Sequence, residues 1–388
     1  IAEYWQPSGF DNQAFTALYE AQSGKHNMAL QYLEVLAGKG VDVFHCIDKL
    51  QPYIDFPYEF WIDIYKIEAE HAKDIPLIAS ASEKMKRDFW KTFNCLPLDH
   101  LEWGIGECGE YGSAENYLLL LYSAHRKNKL TIDELYKKML VLGKLKIGSG
   151  YTSSVYYLKE LLQPIQKAYI NDREKSANIA SIEFRYFGGL NWEDMRCFQK
   201  AIKQDPILYA ELVDIVFKPD DNREYREVPL DAHHIEILRR FYLEAKFCPA
   251  ETDGHVLYDD LKCWTECFLK QLESNHQSVL FGRLMGRLCA YSPVGNDGYK
   301  PCEAVRQIIE EYADDSFIRY YKAELFISRG AHSTSAGRGE KKLANQFQEE
   351  ADQLKVRYPR TSRIYYELYD EYMNDAASER KRAENSYF

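Results

Sequence analysis

The chain has 388 residues, 46% of them hydrophobic and 14% aromatic: too much apolar content for an intrinsically disordered protein, and too long for one compact core. A formal net charge of -11 argues against bulk attraction to nucleic acid or to an anionic membrane, since both need a basic surface. No stretch approaches the roughly 18 to 20 uninterrupted apolar residues of a membrane span, and the first ten residues lack the basic-then-apolar order of a signal peptide.

Apolar residues recur at three- and four-residue spacings, the mark of helices with one buried face, and strand-like alternation is rare. In residues 12–25, Phe15, Leu18 and Tyr19 form one stripe, which Gly24, Lys25 and His26 break. Leu30, Leu33 and Leu36 then make a second stripe over 28–37, so the two segments read as a helical hairpin. With Tyr19, Ala21, Gly24, Ala29, Tyr32 and Leu33, this hairpin resembles a single tetratricopeptide-type unit, in which small residues let two helices approach closely. No period near 34 residues recurs, so the array implied by the resemblance is irregular.

Further helices are expected at 58–73, 81–93, 113–127, 132–142 and 151–170, with Pro97, Gly112, Asn128 and Gly148 as breaks. The polar interval 218–229, containing Pro219, Asp220, Asp221 and Asn222, marks the expected boundary between an N-terminal helical region (1–217) and a C-terminal helical domain (230–388). Beyond it, helices are expected at 231–247, 258–274, 278–290, 302–312, 317–327, 340–357 and 361–385. Pro301 stands just ahead of the 302 start, and Thr361 occupies an N-cap position.

The second part carries Gly298, Pro301, Val305, Arg306 and Glu310, then Ser328, Arg329 and Gly330, then Pro359, Arg360 and Thr361. On these residues it resembles the helical C-terminal region of large bacterial multidomain proteins, some of which look like defence proteins with helical sensor arms. The resemblance covers about the last 160 residues and implies an accessory, sensing role with no chemistry of its own. Because the chain starts with Ile1, the expectation is a piece of a longer protein, with 384–388 reading as a natural end.

The nine cysteines are scattered, odd in number and mostly set in apolar helical patterns, which fits reduced thiols in a cytoplasmic protein. Cys248, His255, Cys263 and Cys267 are weighed as a metal set. Their spacing matches no standard zinc finger, and Trp264 and Phe268 among them favour buried thiols.

The run from Ile147 to Val155, Ile-Gly-Ser-Gly-Tyr-Thr-Ser-Ser-Val, looks like the glycine-rich loop of protein kinases. No His-Arg-Asp or Asp-Phe-Gly segment accompanies it, and Tyr156 onward runs at helical spacing, so a turn that caps a helix is the preferred reading. No Gly-x-x-x-x-Gly-Lys-Ser/Thr motif occurs, and no cofactor is expected. His233, His234 and Glu236 put an imidazole near a carboxylate at a helix start, but no nucleophile or second acid stands in the same element.

A local reversal of sign occurs between Arg319 and Arg363, where ten cations face five acids. Within it, Arg329, His332, Arg338, Lys341, Lys342, Arg360 and Arg363 are the candidate partner- or anion-binding residues. Glycines, hydroxyls and the helix start after Gly339 suit a phosphate or an acidic loop. Tyr365, Tyr369 and Tyr372 fall at helical spacing and form a candidate interface stripe, with the edge of the core as the alternative.

The fold expected is all-α, an irregular tetratricopeptide-like array of helical hairpins in two lobes, and the function expected is non-catalytic recognition of a protein or peptide partner. The alternative is a nucleic-acid or nucleotide-binding module acting through 329–363. No membrane partner is expected.

Overall fold

The computed structural model describes residues 8–21, 27–50, 82–92, 101–145, 151–220, 232–328 and 337–385, together with positions 52–54, 56, 60, 63, 64 and 67. The protein is all-α: the described residues form 18 α-helices and two short 3-10 helices, and no strand. No helix among them is long and apolar enough to cross a membrane. The chain divides into two compact units, Ile1–Asp172 and Arg173–Phe388. The division thus falls after Asp172, whereas the sequence marks the polar interval 218–229, most of which lies outside the described residues. The described start of that interval is tied into the second unit, where the Phe217 carbonyl accepts from Gln277 Nε2 at 2.6 Å and Asp220 N–H donates to the His276 carbonyl at 2.6 Å.

The first unit opens with α1 (Asn12–Glu20) and α2 (Asn27–Ala37), which pack against each other. Asp11 starts α1 by accepting from Gln13 N–H at 2.8 Å and Ala14 N–H at 3.1 Å, which satisfies two of the amides that a helix start leaves unpaired. Tyr32 on α2 is buried but keeps its hydroxyl satisfied, accepting from Asp11 N–H at 2.8 Å and donating to the Gly9 carbonyl at 3.2 Å. Phe15 meets the rings of Phe56 and Phe60, each at 6.1 Å between centroids. Of the helix expected over 58–73, only positions 60, 63, 64 and 67 are described, and all four are helical.

After α3 (Val43–Asp48) come α4 (Glu83–Thr92), α5 (Leu101–Tyr111), α6 (Ala114–Arg126), α7 (Ile132–Met139) and α8 (Tyr151–Tyr169). Helix α5 is absent from the sequence reading because Gly104, Gly106 and Gly109 dilute its apolar pattern. Gly109 among them serves close packing: a Cβ there would stand 3.0 Å from the Tyr117 ring on α6 and 3.3 Å from Val141. A capping box starts α7, with Thr131 Oγ1 accepting from Glu134 N–H at 3.3 Å and Glu134 Oε2 accepting from Thr131 N–H at 2.8 Å.

The second unit begins with α9 (Arg173–Arg185), α10 (Arg196–Gln204) and α11 (Pro206–Val216). None was expected, since α9 buries Ser176, Ala180 and Glu183 beside only two isoleucines. The buried Glu183 carboxylate accepts from Cys197 N–H at 3.3 Å and Phe198 N–H at 2.7 Å, so one helix supplies the cap of the next. The signal for α11 was present in the sequence as Asp205 ahead of Pro206, an N-cap followed by the residue best suited to the first helical position.

Then follow α12 (Ala232–Glu244), α13 (Tyr258–Ser274), α14 (Leu280–Cys289), α15 (Glu303–Tyr312), α16 (Asp315–Ser328), α17 (Arg338–Leu354) and α18 (Pro359–Asn385). In the second unit α11 packs on α13, α13 on α15 and α15 on α18, while α14 packs on α16 and α16 on α18, so α18 receives both runs. Helices α17 and α18 form the longest hairpin. Helices α14 and α16 approach closely because Gly282 and Gly286 face the second helix. A Cβ at Gly286 would lie 2.2 Å from the Phe317 carbonyl oxygen, which no real Cβ tolerates. The core is strongly aromatic, with Phe184, Trp192, Phe198, Tyr209, Phe241, Phe247, Trp264 and Phe268 linked ring to ring. Each such side chain contributes about 1.5–3 kcal/mol by burial.

Thr361 does not cap α18. The helix starts at Pro359, and Thr361 lies buried in its first turn, with N–H and Oγ1 both donating to Glu310 Oε1, at 2.8 and 3.0 Å.

Candidate interaction surface

The sequence-marked residues fall into three groups. Arg329 and His332, Gly148 of the glycine-rich run, and the loop between them and their helices lie outside the described residues. The run's described part, from Tyr151, is the first turn of α8. His234 is exposed and Glu236 pairs with Arg239 of its own helix at 3.9 Å, one turn on. Cys248 is buried, whereas His255, Cys263 and Cys267 are exposed, and no three His, Cys, Asp or Glu side chains among the described residues gather as a metal site would need. The expectation that Cys263 and Cys267 are buried is therefore corrected: they lie on the outer face of α13, with Trp264 and Phe268 facing inward.

The basic segment is dispersed into ion pairs. Lys322 bridges Glu367 at 3.0 Å and Glu371 at 2.8 Å, Lys355 pairs with Asp352 at 3.0 Å, and Arg363 with Glu367 at 3.2 Å. Arg360 donates through Nη1 to the Glu310 carbonyl at 2.7 Å and through its backbone N–H to Glu310 Oε2 at 3.0 Å. Arg338 and Lys341 are exposed in the first turn of α17, and Lys342 is exposed just after it. Cations in the first turn oppose the helix dipole, so their position is electrostatically awkward for the helix and presents positive charge outward.

The tyrosine stripe is the edge of the core and not an exposed interface. Tyr365 is 2% and Tyr372 3% exposed, and only Tyr369 is half-buried. Tyr365 donates to the Lys300 carbonyl, and burial holds its phenol well above the ordinary range. Tyr372 stacks on Phe347 at 5.6 Å and on Phe326 at 5.9 Å. A helix 27 residues long packed on α15, α16 and α17 has few positions left to show solvent on that side.

Several arginines that carry no site role in the sequence reading organise the second unit. Arg306 is fully buried, donating from Nε to the Pro301 carbonyl at 2.7 Å and through both Nη atoms to the Asp297 carboxylate, and its guanidinium lies 5.3 Å from the Tyr358 ring centre. That pairing holds the Asp297 carboxyl below its usual range. Arg287 on α14 donates to the Tyr242 and Leu243 carbonyls, at the end of α12, and pairs with Glu324 of α16 at 3.2 Å; Glu324 also accepts from Tyr291. A cation at a helix C-terminus satisfies carbonyls that the helix itself leaves open. One turn earlier, Arg283 lies 5.1 to 5.6 Å from the ring centres of Phe217, Tyr242 and Tyr320. The motif residues Gly298, Pro301, Arg306, Glu310, Arg360 and Thr361 are thus parts of one joint between α15, its preceding loop and α18.

Several apolar side chains also face outward. Ile235 and Leu243 on α12, Val279 just before α14, and Phe326 and Ile327 on α16 are each between 51% and 73% exposed. Two lie on α12, one just before α14 and two on α16. Comparison with protein-family models, with curated proteins and with solved structures gives no match.

Proposed function

We propose that this chain works by binding, as a recognition or scaffolding module whose helical array takes a protein or peptide partner. The observation that carries the reading is the helix-on-helix packing of the second unit, where α11 packs on α13, α13 on α15 and α14 on α16. Stacked helical hairpins present long continuous faces, and the common use of such faces is to bind extended partners. Exposed apolar side chains on α12 and α16, with Val279 just before α14, supply contact area for a partner. The likeness to sensor arms of large bacterial proteins points the same way by analogy alone, with a defence role included in that analogy. The nucleic-acid alternative loses weight from the intramolecular pairing of Lys322, Lys355, Arg360 and Arg363.

The test is capture of partners on the purified chain followed by hydrogen exchange on the complex. Protection over 232–328 that survives high salt and weakens in Ile235→Ser/Leu243→Ser supports the proposal. Capture of nucleic acid at low salt only, abolished by Lys341→Glu/Lys342→Glu, replaces it with the basic-segment reading.

A further inference from the structure

Arg283 on α14 differs from the other arginines that organise this unit. Arg287, Arg306 and Arg360 each donate to oxygen acceptors. Arg283 has no hydrogen bond or ion pair among the described residues, and its Nε is shut off from solvent with no acceptor. Its guanidinium lies instead 5.5 Å from the Phe217 ring centre, 5.6 Å from that of Tyr242 and 5.1 Å from that of Tyr320. These rings come from the end of α11, from α12 and from α16. Ring faces attract the charge, but they do not replace oxygen acceptors for a planar fork of five N–H donors that matches a carboxylate. The cage thus holds the fork in place and leaves it without the acceptor that it is shaped for.

Each wall of the cage continues into an exposed apolar side chain. Positions four or seven apart on a helix share a face. Ile235 stands seven before Tyr242 on α12, Val279 four before Arg283, and Ile327 seven after Tyr320 on α16, and all three are exposed. A phosphate or a polyanion calls for several free cations together, and the guanidinium one turn on, Arg287, is already committed to Glu324 and to the Tyr242 and Leu243 carbonyls. One free fork suits one carboxylate, and aliphatic surroundings suit apolar neighbours on the same segment.

We propose that the Arg283 cage anchors a carboxylate of a bound peptide, carried by an acidic residue or a chain terminus and flanked by apolar side chains that lie against Ile235, Val279 and Ile327. The inference rests on the recognition reading above and gives the chemistry of the partner. Arg283 takes the carboxylate through paired N–H donors, the three rings fix the direction of the fork, and the aliphatic side chains supply contact area.

The experiment selects a displayed library of random short peptides on the purified full chain and measures the selected peptides by fluorescence anisotropy. Expected are peptides with an aspartate, a glutamate or a free C-terminus beside apolar residues. Arg283→Gln should weaken them about tenfold or more, the loss of a charge-assisted pair, while Arg319→Gln, at an exposed position next to Tyr320, leaves them unchanged. Converting the peptide carboxylate to its amide should cost as much in the wild type and nothing further in Arg283→Gln; placing the amide on the side chain or on the terminus tells the two sources apart. Thermal melts check that Arg283→Gln folds, and the amide series in the wild type tests the carboxylate without it. Selected peptides that lack a carboxylate, or acidic ones indifferent to Arg283→Gln, overturn the proposal and leave the recognition reading standing. Failure to select any peptide overturns it too, while partner capture decides the broader reading separately. A dimer in sedimentation that Ile327→Ser splits makes the occupant a second copy of the chain, which likewise overturns it.

Discussion

Arg306 and Asp297 face each other through two parallel hydrogen bonds, Nη1 to Oδ2 at 2.6 Å and Nη2 to Oδ1 at 2.8 Å, with the arginine fully buried and the aspartate 39% exposed. The remaining donors reach the Pro301 and Tyr299 carbonyls, at 2.7 and 3.1 Å, so one side chain fixes the whole loop ahead of α15. Arg306→Ala should cost about 3 kcal/mol, because it strands these acceptors and opens a void under Tyr358. Arg306→Lys should recover little, since an ammonium lacks the planar fork. Urea denaturation of both variants checks the order.

The same pair sets an acid limit. Hydrogen bonds from Arg306 hold the Asp297 carboxyl low in the folded chain, so its contribution is present above the ordinary carboxylate range, near pH 3.9, and fades as pH falls through the depressed folded value. Asp297→Asn should therefore be less stable than the wild type at pH 7, and the gap should narrow below about pH 4. Paired denaturation curves at pH 7 and pH 3 measure it; a gap independent of pH would refute the assignment.

Glu350 behaves with opposite sign. Burial raises its carboxyl despite the hydrogen bond from Gln346 Nε2 at 2.9 Å, so the ionised form is disfavoured on folding. A raised folded value gives a contribution that is full at acid pH and lost as pH rises through it. Glu350→Gln is expected to raise the melting temperature at pH 7 and to have lost that advantage at pH 4.

Gly286 is where α14 and α16 come closest. Gly286→Ala places a methyl group 2.2 Å from the Phe317 carbonyl, and separating the helices to admit it should cost about 1–3 kcal/mol, although alanine is the better helix former. Gly106→Ala, whose Cβ would meet nothing within 4 Å, is the matched control and should be neutral or stabilising. Thermal melts of the two decide between packing and propensity.

Long helices with regular stripes were legible from the residues: 258–274 coincides with α13, and the helices at 278–290 and 302–312 differ from the observed ones by a residue or two. Helices α5 and α9 were not, because Gly104 in one and Ser176, Ala180 and Glu183 in the other interrupt their apolar buried faces, and only a facing helix makes such a surface favourable. The sign reversal at 319–363 was visible as composition, but its neutralisation was not, since Lys322 finds Glu367 and Glu371 more than forty residues away. Nothing near Glu310 in the sequence marks it as a cap for another helix. Its role as a cap depends on α18 arriving beside it, fifty residues later.

That cap bears on the order in which the chain assembles. The Arg306 lock closes a loop of nine residues, whereas the bonds from Glu310 to Arg360 and Thr361 span fifty and fifty-one. Loop-closure entropy makes the short connection early and the long one late, so the segment around α15 forms first and docking of α18 completes the unit. The α18 start then belongs to a late-forming cooperative segment, and its amides should be among the first in the second unit to exchange when the native protein opens.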